Sequence, residues 1–464
     1  MSHRRGGASS TTLRRIPVAA AAVVWLAAAV ASPAHAIVPD RNQETPPARD
    51  IQGDGDTPRP PASRIAGQSL SVYLLTAEPG DRIYEVFGHN AILVRDSETG
   101  YEQGFNYGIF SFDSPGYLGR FLKGRMMYRV GTVSAATLLA GYGAQNRRIW
   151  AQELDLEPAR KAQLLQLLQT AVQPENQYYR YEYYLNNCST KLRDILDTVL
   201  DGQLREATDG PPTGATWRDH TRRLTAGHPL GYLGIDLVLG PKGDESTNRW
   251  QEMWVPMKLR DTVGALFITR SDGNRVRLVR TEGLWLDSTR ESETTFAPSH
   301  DLLFLLAGVA VAMLYALVGS RTAAGSVAGR IALGLFGSLW GLFCLIAGAV
   351  MIGAHWTDHE FMYWNQNILL FSPLGVGVAW GLVRVAREGG TSIWGRRFAL
   401  GALGLAGVAL VLNLIPVLAS GNREMIAFAL PVHASVCRLM LRINRMDTRL
   451  AHGRRPAPAD IAAP

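Results

Sequence analysis

Hydrophobic and polar positions divide the chain into four stretches of different character. A short apolar run over residues 16–31 follows four arginines and ends before Ala34-His35-Ala36, which is typical of a secretory signal. This pattern predicts a signal peptide over residues 1–36, with an uncleaved signal anchor as the alternative. Residues 37–67 are rich in Pro, Asp, Arg and Gln and have few apolar side chains to bury, so they predict a flexible linker.

The third stretch, residues 68–298, mixes apolar and polar positions as a folded α+β domain does. Leucines at helical spacing after Pro158 predict an amphipathic helix over residues 155–172. A Ser271-Asp272-Gly273-Asn274 turn predicts a hairpin between residues 265 and 286. Apolar and β-branched runs bounded by turns predict strands over residues 70–76, 91–95, 105–110, 126–133 and 147–156. The second and third of these strands are expected to pair in antiparallel fashion.

The fourth stretch begins after residue 299 and consists mainly of long apolar runs. It predicts an all-α transmembrane bundle of about five helices over residues 299–442, followed by a basic cytoplasmic tail over residues 443–464. The candidate spans cover residues 302–319, 331–353, 367–383, 398–419 and 425–441.

Charge agrees with this topology. Arginines concentrate in the loops and the tail that would face the cytoplasm, whereas the two loops on the opposite side hold a single arginine between them. The soluble domain is therefore expected outside the cytoplasm. The same arginines account for the net charge of +7, so the composition gives no reason to expect nucleic acid as a partner.

Cys188 is the first candidate for chemistry. Apolar residues follow it at helical spacing, and Asn187 before it is a favourable N-cap, so the thiol is expected in the first turn of a helix. Free amides and the helix dipole stabilise a thiolate there. The other two cysteines, Cys344 and Cys437, fall in predicted spans, which leaves Cys188 without a disulfide partner in the exported domain. The alternative is a buried structural cysteine.

A cysteine nucleophile needs a base and a group that orients the base. His89, at the start of a predicted strand, is the candidate base, and Asn106 on the neighbouring strand is the candidate orienting residue, with Tyr107 as its rival. The oxyanion would meet the backbone N–H of Cys188, together with Asn187 or Asn186. Neither a cofactor nor a metal ion is expected. A metal site at His355, Asp358, His359 and Glu360 is a weaker interpretation than an interfacial loop rich in aromatic residues.

Further residues are candidates for substrate contact. Lys123 and Arg125 would meet a glycerophosphate or a lipid headgroup, unless they form a solvated basic turn. Asn365 and Asn367, at the mouth of a predicted span, would line a lipid entry. Tyr107 and Tyr183 are the remaining candidates, although packing is the more common role for tyrosines in a segment as tyrosine-rich as residues 178–185.

Four spaced motifs carry a family resemblance: VFGHNAILV, FNYGIF, FLKGRMMYRV and YYLNNCSTKLRD, in that order. Together they resemble the exported domain of the Lnb-type lipoprotein transacylase family, and the segment DHEFMYWNQNILLFSPL resembles the family's extracytoplasmic loop. The order of His, polar strand residue and Cys also resembles circularly permuted papain-like enzymes related to NlpC/P60. The resemblance therefore implies a permuted papain-like α+β fold.

The resemblance also implies acyl transfer at a bacterial inner membrane, with the catalytic domain on the periplasmic side. In that family a diacylglyceryl lipoprotein passes its sn-2 acyl chain to its own N-terminal amine. Carried over to this chain, Cys188 would form the thioester, His89 would act as base and then acid, and Asn106 would orient His89. The substrate would be a membrane phospholipid or a diacylglyceryl lipoprotein. The alternatives are a membrane-tethered cysteine peptidase or amidase of the cell envelope, and a non-enzymatic envelope protein.

Overall fold

A computed structural model of the chain describes residues 65–111 and 115–453. The predicted signal peptide, nearly all of the predicted linker and the end of the predicted tail lie outside the described residues. The strands of the exported domain are β1 (Leu70–Ala77), β2 (His89–Asp96), β3 (Glu102–Ile109), β4 (Met127–Val133), β5 (Ile149–Leu154), β6 (Tyr178–Arg180), β7 (Phe267–Thr269), β8 (Arg275–Arg277) and β9 (Val279–Leu286).

Seven of these strands form one antiparallel sheet in the order β6-β4-β3-β2-β1-β5-β9. The five long predicted strands correspond to β1 through β5, and β2 pairs with β3 as expected. The predicted hairpin is present as β7 and β8. The chain then continues into β9, which the sequence did not separate from the hairpin and which pairs with β5 at the edge of the main sheet. The prediction of an α+β fold is confirmed.

Helices cover both faces of this sheet. The helices of the exported domain are α1 (Tyr117–Leu122), α2 (Ala135–Ala144), α3 (Pro158–Ala171), α4 (Cys188–Val199), α5 (Gln203–Thr208), α6 (Trp217–Thr225), α7 (Pro229–Val238), α8 (Arg249–Glu252) and α9 (Pro256–Ala265). One hydrophobic core joins the sheet to α3, α4 and α9, and Leu164 and Leu168 of the predicted amphipathic helix are fully buried in it. A smaller core on the other face joins the sheet to α2, which the sequence analysis had not identified.

The membrane region contains α10 (Asp301–Ala323), α11 (Val327–Gly353), α12 (Gly375–Glu388), α13 (Ile393–Leu414) and α14 (Arg423–Gly453). Within the described residues, four helical segments are long and apolar enough to cross a membrane: Asp301–Ala323, Val327–Trp356, Ile393–Leu414 and Arg423–Ile443. They correspond to four of the five predicted spans.

The remaining predicted span, residues 367–383, is not one continuous helix. It begins as a 3-10 turn at Gln366–Leu369, and α12 has 14 residues, a length of about 21 Å, against a hydrocarbon core of about 30 Å. Hydropathy therefore identified an apolar segment correctly but not its helical continuity. Non-helical backbone at membrane depth needs partners inside the protein, and the carbonyl of Leu370 accepts a hydrogen bond from His433 Nε2 at 2.8 Å.

Residues 354–366, which we call the outer loop, connect α11 to the segment before α12 and pack against the exported domain. Phe361 of this loop is 1% exposed and lies 4.4 Å from Tyr184 and 5.4 Å from Trp217, measured between ring centroids. Asp358 accepts from Arg125 Nε at 2.7 Å and forms a second ion pair with Arg180 at 2.8 Å. The two regions are thus joined by a buried aromatic contact as well as by surface charges.

A second junction is built on Arg218, a fully buried arginine of α6. Its guanidinium donates to Asp236 Oδ1 at 2.9 Å and to Asp244 Oδ1 at 2.6 Å, and also to the carbonyls of Leu239 and Gly240. Ser420, between α13 and α14, donates to Asp244 Oδ2 at 2.9 Å. The charge cluster therefore extends from the exported domain to the connection between two membrane helices.

Candidate active site

Cys188 is the first residue of α4, as predicted. Asn187 caps this helix through its Oδ1, which accepts from the backbone N–H of Ser189 and of Thr190, each at 2.9 Å, and Thr190 Oγ1 accepts from the N–H of Asn187 in return. The N–H of Lys191 bonds to the carbonyl of Asn187 at 3.0 Å. These contacts use the amides after Cys188 and leave the N–H of Cys188 itself as a first-turn donor that can meet an anion.

His89 begins β2 and meets both of its predicted partners. Its Nε2 lies 2.5 Å from Asn106 Oδ1 on the adjacent strand β3. Because Asn106 occupies Nε2, Nδ1 is the ring nitrogen left to face sulfur, and the His89 side chain hydrogen-bonds to the Cys188 thiol. The structure therefore brings together the three residues that the sequence analysis selected as nucleophile, base and orienting group.

Electrostatics favour an ion pair between the two reactive groups. Burial raises the pKa of Cys188, but the charge and hydrogen bond of His89 and the backbone N–H groups of Asn90 and Ser189 outweigh burial, so the pKa of the thiol is lowered. Burial lowers the pKa of His89, but the charge of Cys188 and the hydrogen bonds to Cys188 and Asn106 outweigh it, so this pKa is raised. The shifts are in the directions that convert a neutral thiol and imidazole into a thiolate and an imidazolium.

The shifted pKa values predict a particular pH dependence. Thiolate is present above the lowered pKa of Cys188, so alkylation of Cys188 by iodoacetamide should extend to lower pH than that of an ordinary thiol, whose pKa is about 8.5. In His89→Ala the alkylation profile should move to higher pH. Peptide mapping by mass spectrometry measures this rate at Cys188 alone. Coincident profiles for the wild type and His89→Ala would contradict the ion pair.

Two residues that the sequence analysis had not selected complete the site. Gly108 has φ +95° at an irregularity in the pairing of β3 with β4, and a Cβ placed on it would lie 3.6 Å from Cys188 Cβ and 3.8 Å from His89 Cε1. The same point is 4.0 Å from the hydroxyl of Tyr179. That hydroxyl is buried, and the backbone N–H of Gly108 faces its oxygen, which leaves the phenolic O–H as a donor for a bound group. A glycine interrupting the predicted strand FNYGIF was a sequence signal for such a close approach.

Replacing Gly108 by alanine is expected to obstruct the thiol. The new methyl group would occupy the space beside Cys188 and His89. The positive φ at residue 108 would also cost the alanine about 1–2 kcal/mol of folding free energy. We expect alkylation of Cys188 to slow roughly tenfold, because small displacements at a reacting atom have large effects on rate. Gly100→Ala is the matched control, since Gly100 has φ +71° but open space around its Cα. Equal alkylation rates in the two variants would contradict the role of Gly108.

The oxyanion role predicted for the Asn187 side chain needs correction, and one of the two donors of Asn186 is also in use. Asn187 Oδ1 caps α4, and its Nδ2 donates to the carbonyls of Tyr183 and Trp254, each at 2.9 Å, so no donor of this amide is left for an oxyanion. Asn186 Nδ2 donates to the carbonyl of Arg180 at 2.6 Å. Both side chains therefore shape the segment that leads into Cys188.

Three predicted substrate contacts also need correction. Tyr107 is 4% exposed and belongs to the hydrophobic core, because successive strand residues point to opposite faces and Asn106 takes the site face. Asn365 and Asn367 are 4% and 0% exposed, and both donate through Nδ2 to the carbonyl of Leu237 at 2.9 Å. They fasten the start of the α12 segment to the exported domain and do not line an entry.

The other candidate contacts lie at the junction with the outer loop. Arg125 forms an ion pair with Asp358, whereas Lys123 is exposed and forms no ion pair among the described residues. Tyr183 packs beside His359 and Phe361, at 6.3 and 6.2 Å between ring centroids. His359 Nε2 lies 2.8 Å from the carbonyl of Phe121, and no group of potential metal ligands occurs within the described part of the chain.

These features define a class: a membrane protein whose extracytoplasmic α+β domain carries a paired cysteine and histidine. Residues 57–223 match the family model of the Lnb N-terminal periplasmic domain, a range that covers the first part of the exported domain. The match confirms the resemblance and contains Cys188, His89 and Asn106. The chain is therefore a membrane-associated protein with a periplasmic domain of Lnb type. No curated protein and no solved structure matches the chain.

Proposed function

We propose that this protein is a cysteine acyltransferase of the bacterial inner membrane, which moves an acyl chain through a thioester on Cys188 to an amine. The amine is the N-terminus of a diacylglyceryl lipoprotein, and the product is an N-acylated lyso-form lipoprotein. The observation that carries the proposal is the Cys188–His89–Asn106 constellation in an Lnb-type domain that is fastened to apolar helices. A thiol beside a membrane surface suits a substrate whose reactive carbonyl belongs to a lipid.

In the first half of the reaction the Cys188 thiolate attacks the carbonyl carbon of the sn-2 ester. A carbon–sulfur bond forms, the ester carbon–oxygen bond breaks, and the departing glycerol oxygen takes the proton of the His89 imidazolium. Asn106 holds the ring in place at Nε2, so that Nδ1 serves both the sulfur and the leaving oxygen. The products are an acyl-enzyme, a neutral His89 and a lyso-lipid.

In the second half the amine attacks the thioester carbon. A carbon–nitrogen bond forms and the carbon–sulfur bond breaks, while His89 takes a proton from the amine and the thiolate is restored. No group outside the chain and its substrate is needed to balance either step. The N–H of Cys188 and the hydroxyl of Tyr179 are the donors we assign to the oxyanion of both tetrahedral intermediates.

Tyr179→Phe tests this assignment. Removal of one oxyanion donor typically lowers kcat by about 10²–10³, and we expect a loss in this range for acyl transfer. Alkylation of Cys188 should stay unchanged, because it passes through no oxyanion. Tyr178→Phe is the control, since Tyr178 is 60% exposed on the same short strand. Equal acyl transfer by both variants would remove Tyr179 from the mechanism.

An isotopic experiment tests the proposed function. The purified full chain in lipid vesicles is given a diacylglyceryl lipopeptide whose sn-2 acyl chain is deuterated, and the product is sequenced by tandem mass spectrometry. Deuterium on the N-terminal amine with the wild type, and not with Cys188→Ala, is the expected result. Peptide cleavage without transfer would instead identify a cysteine peptidase or amidase. Unchanged substrate with an alkylatable Cys188 would also contradict the transferase assignment.

A further inference from the structure

Helix α1 presents two leucines to the outside of the molecule. Leu118 and Leu122 are 62% and 60% exposed, and no residue of this helix is buried. They are four residues apart, so they lie on one face of the helix. Tyr117 and Phe121, one position earlier in each turn, stack on each other at 6.3 Å between ring centroids. Two neighbouring exposed leucines on one helix face form an apolar patch, and such patches mark interaction sites.

The position of α1 indicates which partner this patch meets. Directly after α1, the carbonyl of Lys123 accepts a hydrogen bond from the N–H of Asp358 at 2.9 Å, and the carbonyl of Phe121 lies 2.8 Å from His359 Nε2. These two outer-loop residues follow closely on the apolar segment Val327–Trp356, which is long enough to cross a membrane. Helix α1 therefore lies beside the end of an apolar helix that is long enough to cross a membrane.

Neighbouring side chains have the chemistry of a membrane surface. Trp356 and Trp364 of the outer loop are 79% and 77% exposed, and tryptophan is enriched where a bilayer meets water. Lys123, adjacent to Leu122, is exposed and pairs with no carboxylate among the described residues. Exposed leucine, tryptophan and lysine on α1 and the outer loop that contacts it suit acyl chains and phosphate headgroups.

A row of stacked aromatic rings leads from α1 towards the thiol. Centroid distances are 6.3 Å from Phe121 to Tyr117, 6.3 Å from Tyr117 to Phe110, 4.7 Å from Phe110 to Tyr128 and 4.1 Å from Tyr128 to Tyr181. Burial raises the pKa of the Tyr181 phenol, and the charge of Cys188 raises it further. The row thus connects the leucine face with the reactive sulfur.

We infer that Leu118 and Leu122 insert α1 into the periplasmic surface of a phospholipid bilayer, and that the aromatic row guides an acyl chain from this surface to Cys188. The insertion of α1 does not depend on the proposed function. The guiding role rests on the proposed function, because it requires that Cys188 accept an acyl chain.

Fluorescence quenching tests the insertion without any catalysis. In a Cys188→Ala background, Leu118→Cys and Leu122→Cys are labelled with an environment-sensitive fluorophore, which is selective because Cys344 and Cys437 are buried. The full chain is placed in phosphatidylglycerol–phosphatidylethanolamine nanodiscs that contain doxyl-labelled lipid. We expect quenching at both positions and none at Leu284→Cys, which is 41% exposed on β9 at the opposite edge of the sheet.

The insertion would be overturned if doxyl lipid does not quench the fluorophores. Absence of quenching with a water-like emission would show that the leucine face is solvated, and absence of quenching with an apolar emission would indicate a second protein copy on that face. The guiding role is tested separately with Leu118→Asp/Leu122→Asp in the reactive protein. We expect kcat/KM for lipopeptide in vesicles to fall roughly tenfold with the alkylation rate of Cys188 unchanged. Unchanged kcat/KM would overturn the guiding role, whereas an inactive wild type would refute only the proposed function and leave the quenching result standing.

Discussion

His89→Ala is expected to lower kcat/KM for acyl transfer by about 10²–10⁴, the range that a positioned acid–base group contributes. Two losses combine in this variant. The thiol loses the charge and the hydrogen bond of His89, so only the backbone N–H groups of Asn90 and Ser189 still oppose burial, which raises the pKa of Cys188. The leaving glycerol oxygen also loses its proton donor. The measurement is single-turnover transfer from lipopeptide in vesicles across a range of pH.

His228→Ala provides the comparison, because His228 is a partly exposed histidine of the exported domain that lies just before α7. It should retain the transfer rate of the wild type. If His89→Ala, correctly folded, transfers the acyl chain within a few-fold of the wild-type rate, His89 is not the base. The same result with an unaltered alkylation profile would exclude the ion pair as well.

Arg218→Leu is expected to cause the largest loss of stability. The substitution removes the guanidinium that lies between the carboxylates of Asp236 and Asp244, so Asp244 loses its ion pair and Asp236, which is 2% exposed, keeps only the pair with Arg222. Removal of one partner from a buried charge cluster costs about 3–5 kcal/mol. For a domain of this size that corresponds to a fall in Tm of roughly 6–20 °C, measured by thermal unfolding of the full chain in detergent.

The contacts of the Arg218 cluster also predict which segments lose protection in Arg218→Leu. Because Asp244 accepts from Ser420 and Arg222 donates to the carbonyl of Gly421, hydrogen exchange should increase in the connection between α13 and α14 as well as in α6. Arg205→Leu is the control, since the Arg205–Asp209 pair is exposed and should contribute nothing measurable. A Tm for Arg218→Leu equal to that of the control would show that the cluster does not fasten the two regions.

The nucleophile and its base could be predicted because their signals are local. Cys188 follows a capping asparagine and precedes an apolar helical face, so its place in the first turn needed no tertiary information. His89 and Asn106 lie on consecutive strands that were expected to pair, and the antiparallel pairing places both residues towards the same end of the two strands. The same reasoning predicted β1 through β5 and the β7–β8 hairpin.

The corrected residues depend on partners that are distant in the sequence. The donors of Asn187 are occupied partly by the carbonyl of Trp254, and those of Asn365 and Asn367 by Leu237, more than a hundred residues earlier in the chain. No local pattern reports such partners. Tyr107 is adjacent to Asn106 on β3. Only one of these two neighbours can face the site, and the register of β3 against β2 decides which one does.

The membrane region shows a different limit. Hydropathy measures composition, so residues 367–383 resembled a span although their first part is not helical. Non-helical backbone is tolerated there because its polar groups find partners inside the protein. The carbonyl of Leu370 bonds to His433, and Asn367 Oδ1 accepts from Asn422 Nδ2 at 3.0 Å. Histidine and asparagine in a predicted span are signals of such pairing, but the sequence does not say which backbone group they satisfy.

Intact-protein mass spectrometry is the most direct test of the central claim, that Cys188 carries the acyl chain. Wild type and Cys188→Ala are incubated briefly with diacylglyceryl lipopeptide whose amine is blocked by acetylation, so that the acyl-enzyme accumulates. The account predicts one acyl mass on the wild type, released by hydroxylamine and absent from Cys188→Ala. An unmodified wild type whose Cys188 still reacts with iodoacetamide would contradict it.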